Sequence, residues 1–281
     1  MPHDHPGNNI IEASHLTKQF HDEVAVRDIN LNIERGKIFG FIGPSGCGKT
    51  TTVRLLTGLY EPTSGTVSVL GQNAVACSQR TRARGGYMPQ LFVLYPGLSI
   101  WDNLNFAASL YGVNLRRGRE LARLMAFVEL EEHKNKLVRN ISGGMRRRLS
   151  LAATLVHDPE LLFLDEPTAG IDPVLRRKFW DHFKALQAQG RTLFITTQYV
   201  GEAAYCDYVG VLSEGELLLV ETPDGLRRKA FGGEVLNLRT LERITYEQFK
   251  TIEQLDCIQG PVTRTDETGL LHRLDHSRRP V

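Results

Sequence analysis

Two hydrophobic rhythms alternate along this chain. The run Ile38-Phe39-Gly40-Phe41-Ile42 is continuously apolar, as in a strand covered on both faces. Residues 161–165, 192–197, 208–212 and 216–220 carry similar short runs and read as strands, as do residues 10–16, 24–33, 37–43 and 66–70. Between them the period lengthens. Leu121, Leu124, Met125 and Val128 recur at i, i+3, i+4 and i+7, and Leu175, Phe179, Phe183 and Leu186 form a second helical face behind Pro173. Helices are further predicted over residues 50–56, through much of residues 91–140, after Ser142, and near residues 201–206.

Strands alternating with helices predict an α/β fold with a mainly parallel sheet. The helical stretch at residues 91–158 reads as an inserted subdomain. Residues 1–229 then form the main domain, and residues 230–281, where the periodicity loosens, form a small extension of mixed strand and helix. There is no internal repeat and no low-complexity segment.

Composition narrows this little. With 41% hydrophobic and 23% charged residues, the 281-residue chain has the make-up of an ordinary soluble globular protein. A net charge of +2 gives no argument for nucleic acid. No window approaches the roughly 18 apolar residues of a membrane span, and residues 1–9 lack the apolar core of a secretion signal. His3 and His5 read as part of a polar tail. Cys47, Cys77, Cys206 and Cys257 have neither metal nor disulfide spacing, which suits reduced thiols in a cytoplasmic protein.

The chemistry lies in three loops. Gly43-Pro44-Ser45-Gly46-Cys47-Gly48-Lys49-Thr50 matches G-x-x-x-x-G-K-[ST] between a buried strand and a helix. Glycines let successive N–H groups turn inward, and the helix N-terminus favours phosphate. Lys49 is expected on the β- and γ-phosphates, the Thr50 hydroxyl on Mg²⁺, Thr51 near the α-phosphate, and Cys47 as a small packing residue. Asp165 and Glu166 end an apolar strand: Asp165 is expected to hold Mg²⁺ through water, and Glu166 to orient the attacking water. Between them, Ser142-Gly143-Gly144 combines an N-cap serine with two glycines at a helix start, a second anion site or a plain capped helix.

Phosphate loop, serine-glycine loop and acidic strand stand in the order found in the nucleotide-binding subunits of ABC transporters, and residues 11–226 resemble that family. The resemblance implies a P-loop NTPase (RecA-like) core with an antiparallel β subdomain, and ATP and Mg²⁺ as ligands. It also implies an ATP sandwich, in which the Ser142–Gly144 loop of one chain completes the site of a second nucleotide-binding subunit, a homodimer or a paralogue. It places Phe20 against adenine, Gln90 as a sensor of Mg²⁺ and attacking water, and Gln198 at a γ-phosphate position where most members carry histidine. Ala169-Gly170-Ile171-Asp172 resembles the family's intersubunit loop, which implies that Asp172 is its polar contact. Met145 departs from the usual glutamine; with Arg146, Arg147, Arg148 and Gln198 it resembles the ABC-2 type, drug-resistance exporter branch. That branch implies transmembrane permease partners and a place on the cytoplasmic face of the membrane. The apolar segment Leu91 to Tyr95 is either a permease-docking surface or core packing. Soluble ABC ATPases acting on ribosomes or DNA, and weakly active regulatory subunits, are the competing readings.

Overall fold

The computed structural model describes residues 8–91, 93–114, 116–231, 234–239, 245–253, 263–264 and 269–274. His3, His5, Phe92 and Cys257 lie outside the described residues. In chain order the elements are β1 (Asn9–Phe20), β2 (Glu23–Glu34), β3 (Ile38–Ile42), α1 (Lys49–Leu56), β4 (Ser64–Val69), β5 (Gln72–Asn73), α2 (Gln79–Arg82) and β6 (Gly85–Met88). Then follow α3 (Ile100–Leu110), α4 (Gly118–Phe127), α5 (Gly143–Leu155), β7 (Leu161–Asp165), α6 (Pro173–Ala188), β8 (Thr192–Thr197), β9 (Tyr208–Ser213) and β10 (Glu216–Glu221). Last come α7 (Pro223–Phe231), β11 (Glu234–Arg239), α8 (Tyr246–Glu253), β12 (Thr263–Arg264) and β13 (Gly269–Leu274).

Residues 1–220 and 221–281 form two compact units, so the division falls ahead of residue 229, which lies within α7. In the first, a six-stranded sheet runs β10-β9-β3-β8-β7-β6, with β3 parallel to β8 and β9, and β7 parallel to β8 and β6. A four-stranded sheet, β2-β1-β4-β5, is antiparallel throughout. The parallel strands need long crossovers, and the helices supply them. Phe39, Phe41 and Phe163 pack around Phe194 with ring centroids 5.3 to 5.9 Å apart, and all four are buried. The second unit holds a three-stranded antiparallel sheet, β11-β13-β12, with α7 and α8.

Two helical expectations change. Leu91 and residues 93–99 are irregular rather than helical: α3 begins only after Ser99, whose hydroxyl accepts from the Asp102 N–H at 3.0 Å. An N-cap of this kind fixes the start of a helix whatever the apolarity upstream. The helix near residues 201–206 is a tight 3₁₀ segment, Val200–Tyr205. By contrast, Leu121, Met125 and Val128 are buried as their spacing implies, although Val128 stands just past the end of α4.

His157, after α5, stacks on Tyr111 with ring centroids 3.6 Å apart, and its Nε2 lies 3.0 Å from the Gly85 carbonyl. Burial pushes its pKa below the ordinary histidine value. A histidine depressed in the folded state binds its proton more readily when unfolded, so it stabilises the fold above about pH 6.5 and loses that contribution as pH falls through its folded pKa. Urea midpoints are therefore expected to drop between pH 7 and 5, and His157→Gln to flatten that slope. An unchanged slope in His157→Gln would remove this group from the account.

Candidate functional site

The loop after β3 turns sharply at Gly46 and Gly48, whose φ angles are +80° and +105°. At Gly48 glycine is required twice over, because a Cβ there would lie 2.4 Å from the Ala25 carbonyl oxygen of β2. A Cβ at Gly43 would lie 2.3 Å from the Leu212 carbonyl oxygen. Gly48 stands at the N-cap of α1, and the first turn of that helix follows with Lys49, Thr50 and Thr51. Together they border a cavity of about 310 Å³ lined by Phe20, Glu23, Ala25, Ser45, Gly46, Gly48, Lys49, Thr50, Thr51, Gln90 and Glu166. An N-terminal helix dipole, backbone donors and a lysine converge there, as an anion requires.

Lys49 is 4% exposed, and its ammonium donates to the carbonyls of Gly43 at 2.9 Å and Pro44 at 2.8 Å. It stands 3.4 Å from Glu166 Oε1. The Glu166 carboxylate also accepts from Gln90 Nε2 at 3.1 Å on Oε2, and from Gln198 Nε2 at 3.0 Å on Oε1 and 2.8 Å on Oε2. Thus the ends of β6 and β8 and the start of α1 each deliver a group to the one carboxylate that follows β7. Glu166 sits in left-handed backbone at φ +48°, a conformation that costs about 1–2 kcal/mol for a residue with a Cβ. Its N–H donates to Thr196 Oγ1 at 2.9 Å, and that hydroxyl donates to Asp165 Oδ1 at 2.6 Å. The pairing of Asp165 with Thr196 across β7 and β8 places all three groups. Asp165 Oδ2 is buried without a hydrogen-bond partner among the described residues.

The other expected residues divide by location. Phe20 borders the cavity at the end of β1, with Tyr60 edge-on at 5.4 Å and Lys18 Nζ 5.1 Å from its ring centroid. Cys47 contributes backbone to the loop, but its side chain belongs to the core, where burial pushes the thiol pKa up. Ser142, Gly143 and Gly144 do not border this cavity. Ser142 caps α5, accepting from the Met145 N–H at 3.2 Å, and Ser142 and Gly143 are exposed. Asp172 caps α6 by accepting from the N–H groups of Val174 and Leu175 at 3.0 and 2.9 Å. Sequence reasoning missed Thr196, Glu23, Ala25 and the Gln90-binding role of Arg147. For Thr196 a signal existed, since Thr196 and Thr197 are polar residues ending an otherwise apolar strand.

A phosphate loop, a strand-end acid pair and a capped serine-glycine loop on this two-sheet scaffold define a P-loop nucleotide-binding cassette of the ABC type. The ABC transporter family model matches residues 26–169, half the chain, and the protein belongs to that family. It is 36% identical over 266 residues to the Nod factor export ATP-binding protein I of Cupriavidus pinatubonensis (strain JMP 134 / LMG 1197), covering 92% of this chain and 78% of that one. It is 40% identical over 230 residues to the probable multidrug ABC transporter ATP-binding protein YbhF of Escherichia coli (strain K12). That match covers 82% of this chain, which spans only 40% of YbhF. Among solved structures, an ATP-binding subunit of an ABC transporter superposes with a TM-score of 0.71 at 27% identity, covering 79% of this chain and 93% of that one. The dimeric, post-hydrolysis ATP-binding cassette MJ0796 bound to ADP and Pi gives 0.69 at 25% identity, covering 76% and 99%.

Proposed function

We propose that this chain hydrolyses ATP to drive an ABC-2-type exporter, with each nucleotide enclosed between two nucleotide-binding subunits. The observation that carries this reading is the Glu166 carboxylate at the edge of the phosphate cavity, held by Gln90, Gln198 and Lys49. A carboxylate so placed can accept a proton from water attacking the γ-phosphate. Gln198 donates hydrogen bonds but cannot carry a proton, so its part is to hold Glu166 and the phosphate rather than to exchange protons. Phe20 offers adenine an aromatic face, Ser45, Gly46 and Gly48 offer backbone donors, and Lys49 neutralises phosphate charge. The Ser142–Gly144 loop, outside its own chain's cavity, supplies exposed donors to the nucleotide of another chain. Asp172, in the adjoining loop, then meets the partner subunit.

The residues fit a magnesium ion. Asp165 keeps an unpartnered buried oxygen, and Thr50 and Gln90 border the phosphate cavity. Magnesium prefers one or two protein oxygens with phosphate and water completing its shell, so no larger acidic cluster is needed. Thr50, Gln90 and, through water, Asp165 would hold it. When bound it neutralises charge on the β- and γ-phosphates.

Among the described residues no helix is long and apolar enough to cross a membrane. In the export reading, permease subunits hold the chain on the cytoplasmic side of the membrane. Leu59, Leu91 and Val93 are 60%, 81% and 77% exposed, more than core packing would leave. Leu59 and Tyr111 also border an apolar cavity of about 270 Å³. Such surface favours an apolar partner segment over a ribosomal or nucleic-acid one. Leu59→Glu with Val93→Glu is expected to lower recovery with membranes about tenfold, since two buried charges cost more than 1.4 kcal/mol. Turnover of the purified protein is expected to stay within about twofold. Co-purification from membranes reads the first and phosphate release the second; recovery with ribosomes and without membrane protein would overturn the export reading.

A further inference from the structure

Arg147 stands on α5, one turn beyond the Ser142–Gly144 loop, and is 7% exposed. Arginines are seldom buried so far without a structural reason. Its Nη1 donates to the main-chain carbonyl of Gln90 at 3.0 Å, while the side chain of the same Gln90 donates to Glu166 at 3.1 Å. Burial lowers the guanidinium pKa, opposed by the charges of Glu166 and then Asp165, so the cation lies within the field of both acids. The next residue, Arg148, donates through Nη1 to the carbonyls of Val128 and Glu129, both at 3.1 Å, fixing α5 to the end of α4.

We propose that Arg147 is a positioning residue that couples the Ser142–Gly144 loop to Glu166 of the same chain through the backbone of Gln90. The inference rests on the reading that this loop receives the nucleotide of a second chain. A hydrogen-bonded helix turn moves as a unit, so a phosphate drawing on the start of α5 also displaces the guanidinium one turn along. The Gln90 carbonyl follows, and the Gln90 amide is brought to, or withdrawn from, the carboxylate it touches. In a two-chain sandwich one loop faces the partner's nucleotide while Glu166 serves its own. Filling one site therefore adjusts the base in the other.

The test is a double-mutant cycle in the full chain, reading ATP turnover at saturating ATP and the affinity for a fluorescent ADP analogue. Arg147→Ala and Gln90→Ala are each expected to lower kcat about tenfold, with KM and ADP affinity within about twofold of wild type. Because both cut one path, the double variant is expected to be no slower than Gln90→Ala alone. Arg147→Lys, which keeps the charge and can still reach one carbonyl, is expected to recover most of the loss. Should Arg147→Ala not fold, the cycle is run with Arg147→Met, which keeps the buried alkyl stem and removes the donor to the Gln90 carbonyl. Losses that multiply in the double variant, or a fully active Arg147→Ala, would overturn the coupling. Failure of Glu166→Gln to dimerise with ATP would instead remove the sandwich reading beneath it, so the two failures are separable.

Discussion

Glu166→Gln is expected to slow ATP turnover by about a thousandfold, within the range that a lost general base costs. The substitution is nearly isosteric, and its neighbours can absorb it. Gln90 and Gln198, which donate to the carboxylate now, can each rotate an amide to meet the new amide group. Lys49 keeps its two carbonyl partners, Gly43 and Pro44. Binding is thus expected to survive while chemistry fails, and nucleotide affinity to stay within about threefold of wild type. Phosphate release together with nucleotide titration makes the distinction. Turnover within a factor of about ten of wild type would mean that another group activates the water.

Lys49→Ala acts at the preceding step. Among the described residues its ammonium is the one basic side chain bordering the phosphate cavity, and two charge-assisted bonds to phosphate are worth about 3 kcal/mol together. Affinity for a fluorescent ATP analogue is therefore expected to fall about a hundredfold, with turnover falling at least as far. A stability change accompanies it, because the Gly43 and Pro44 carbonyls lose their donor and Glu166 loses its nearest cation. A cost of about 1–3 kcal/mol follows from leaving buried acceptors unpaired, visible as a lower urea midpoint. Since Glu166 retains both glutamine donors, the variant is expected to fold. Unchanged turnover in Lys49→Ala would overturn the assignment of the site.

Most of the scaffold could be read from local pattern, because strands buried on both faces and a glycine loop bounded by strand and helix are local properties. The run Ile38 to Ile42 became β3, and residues 161–165 became β7 with their acids at its end. Motif pattern pointed to Lys49 and Glu166, and the family resemblance to Phe20, Gln90 and Gln198; these five residues from five parts of the chain border one cavity or one carboxylate. What stayed hidden depends on contacts between distant segments. Thr196 reaches Asp165 only through the register of β7 with β8, and Arg147 reaches Gln90 across 57 positions. Leu91 and residues 93–99 misled because apolarity in a loop looks like helix core until a partner or its exposure is known; Leu91 and Val93 are in fact exposed. The glycine loop calls for a backbone free to turn, and Gly46 and Gly48 have positive φ, but the closeness of the Ala25 carbonyl to Gly48 is beyond any local pattern.

The central claim is that Ser142, Gly143 and Gly144 serve the nucleotide of another chain. It is tested most directly by the oligomeric state of Glu166→Gln with ATP, measured by light scattering with and without Ser142→Glu. The introduced carboxylate would face phosphate across the sandwich, yet Ser142 does not border its own chain's cavity. The expected result is an ATP-dependent dimer of Glu166→Gln, and a monomer of the double variant that still binds ATP with unchanged affinity. A dimer that persists in the double variant, or a loss of ATP binding by the monomer, would contradict the account.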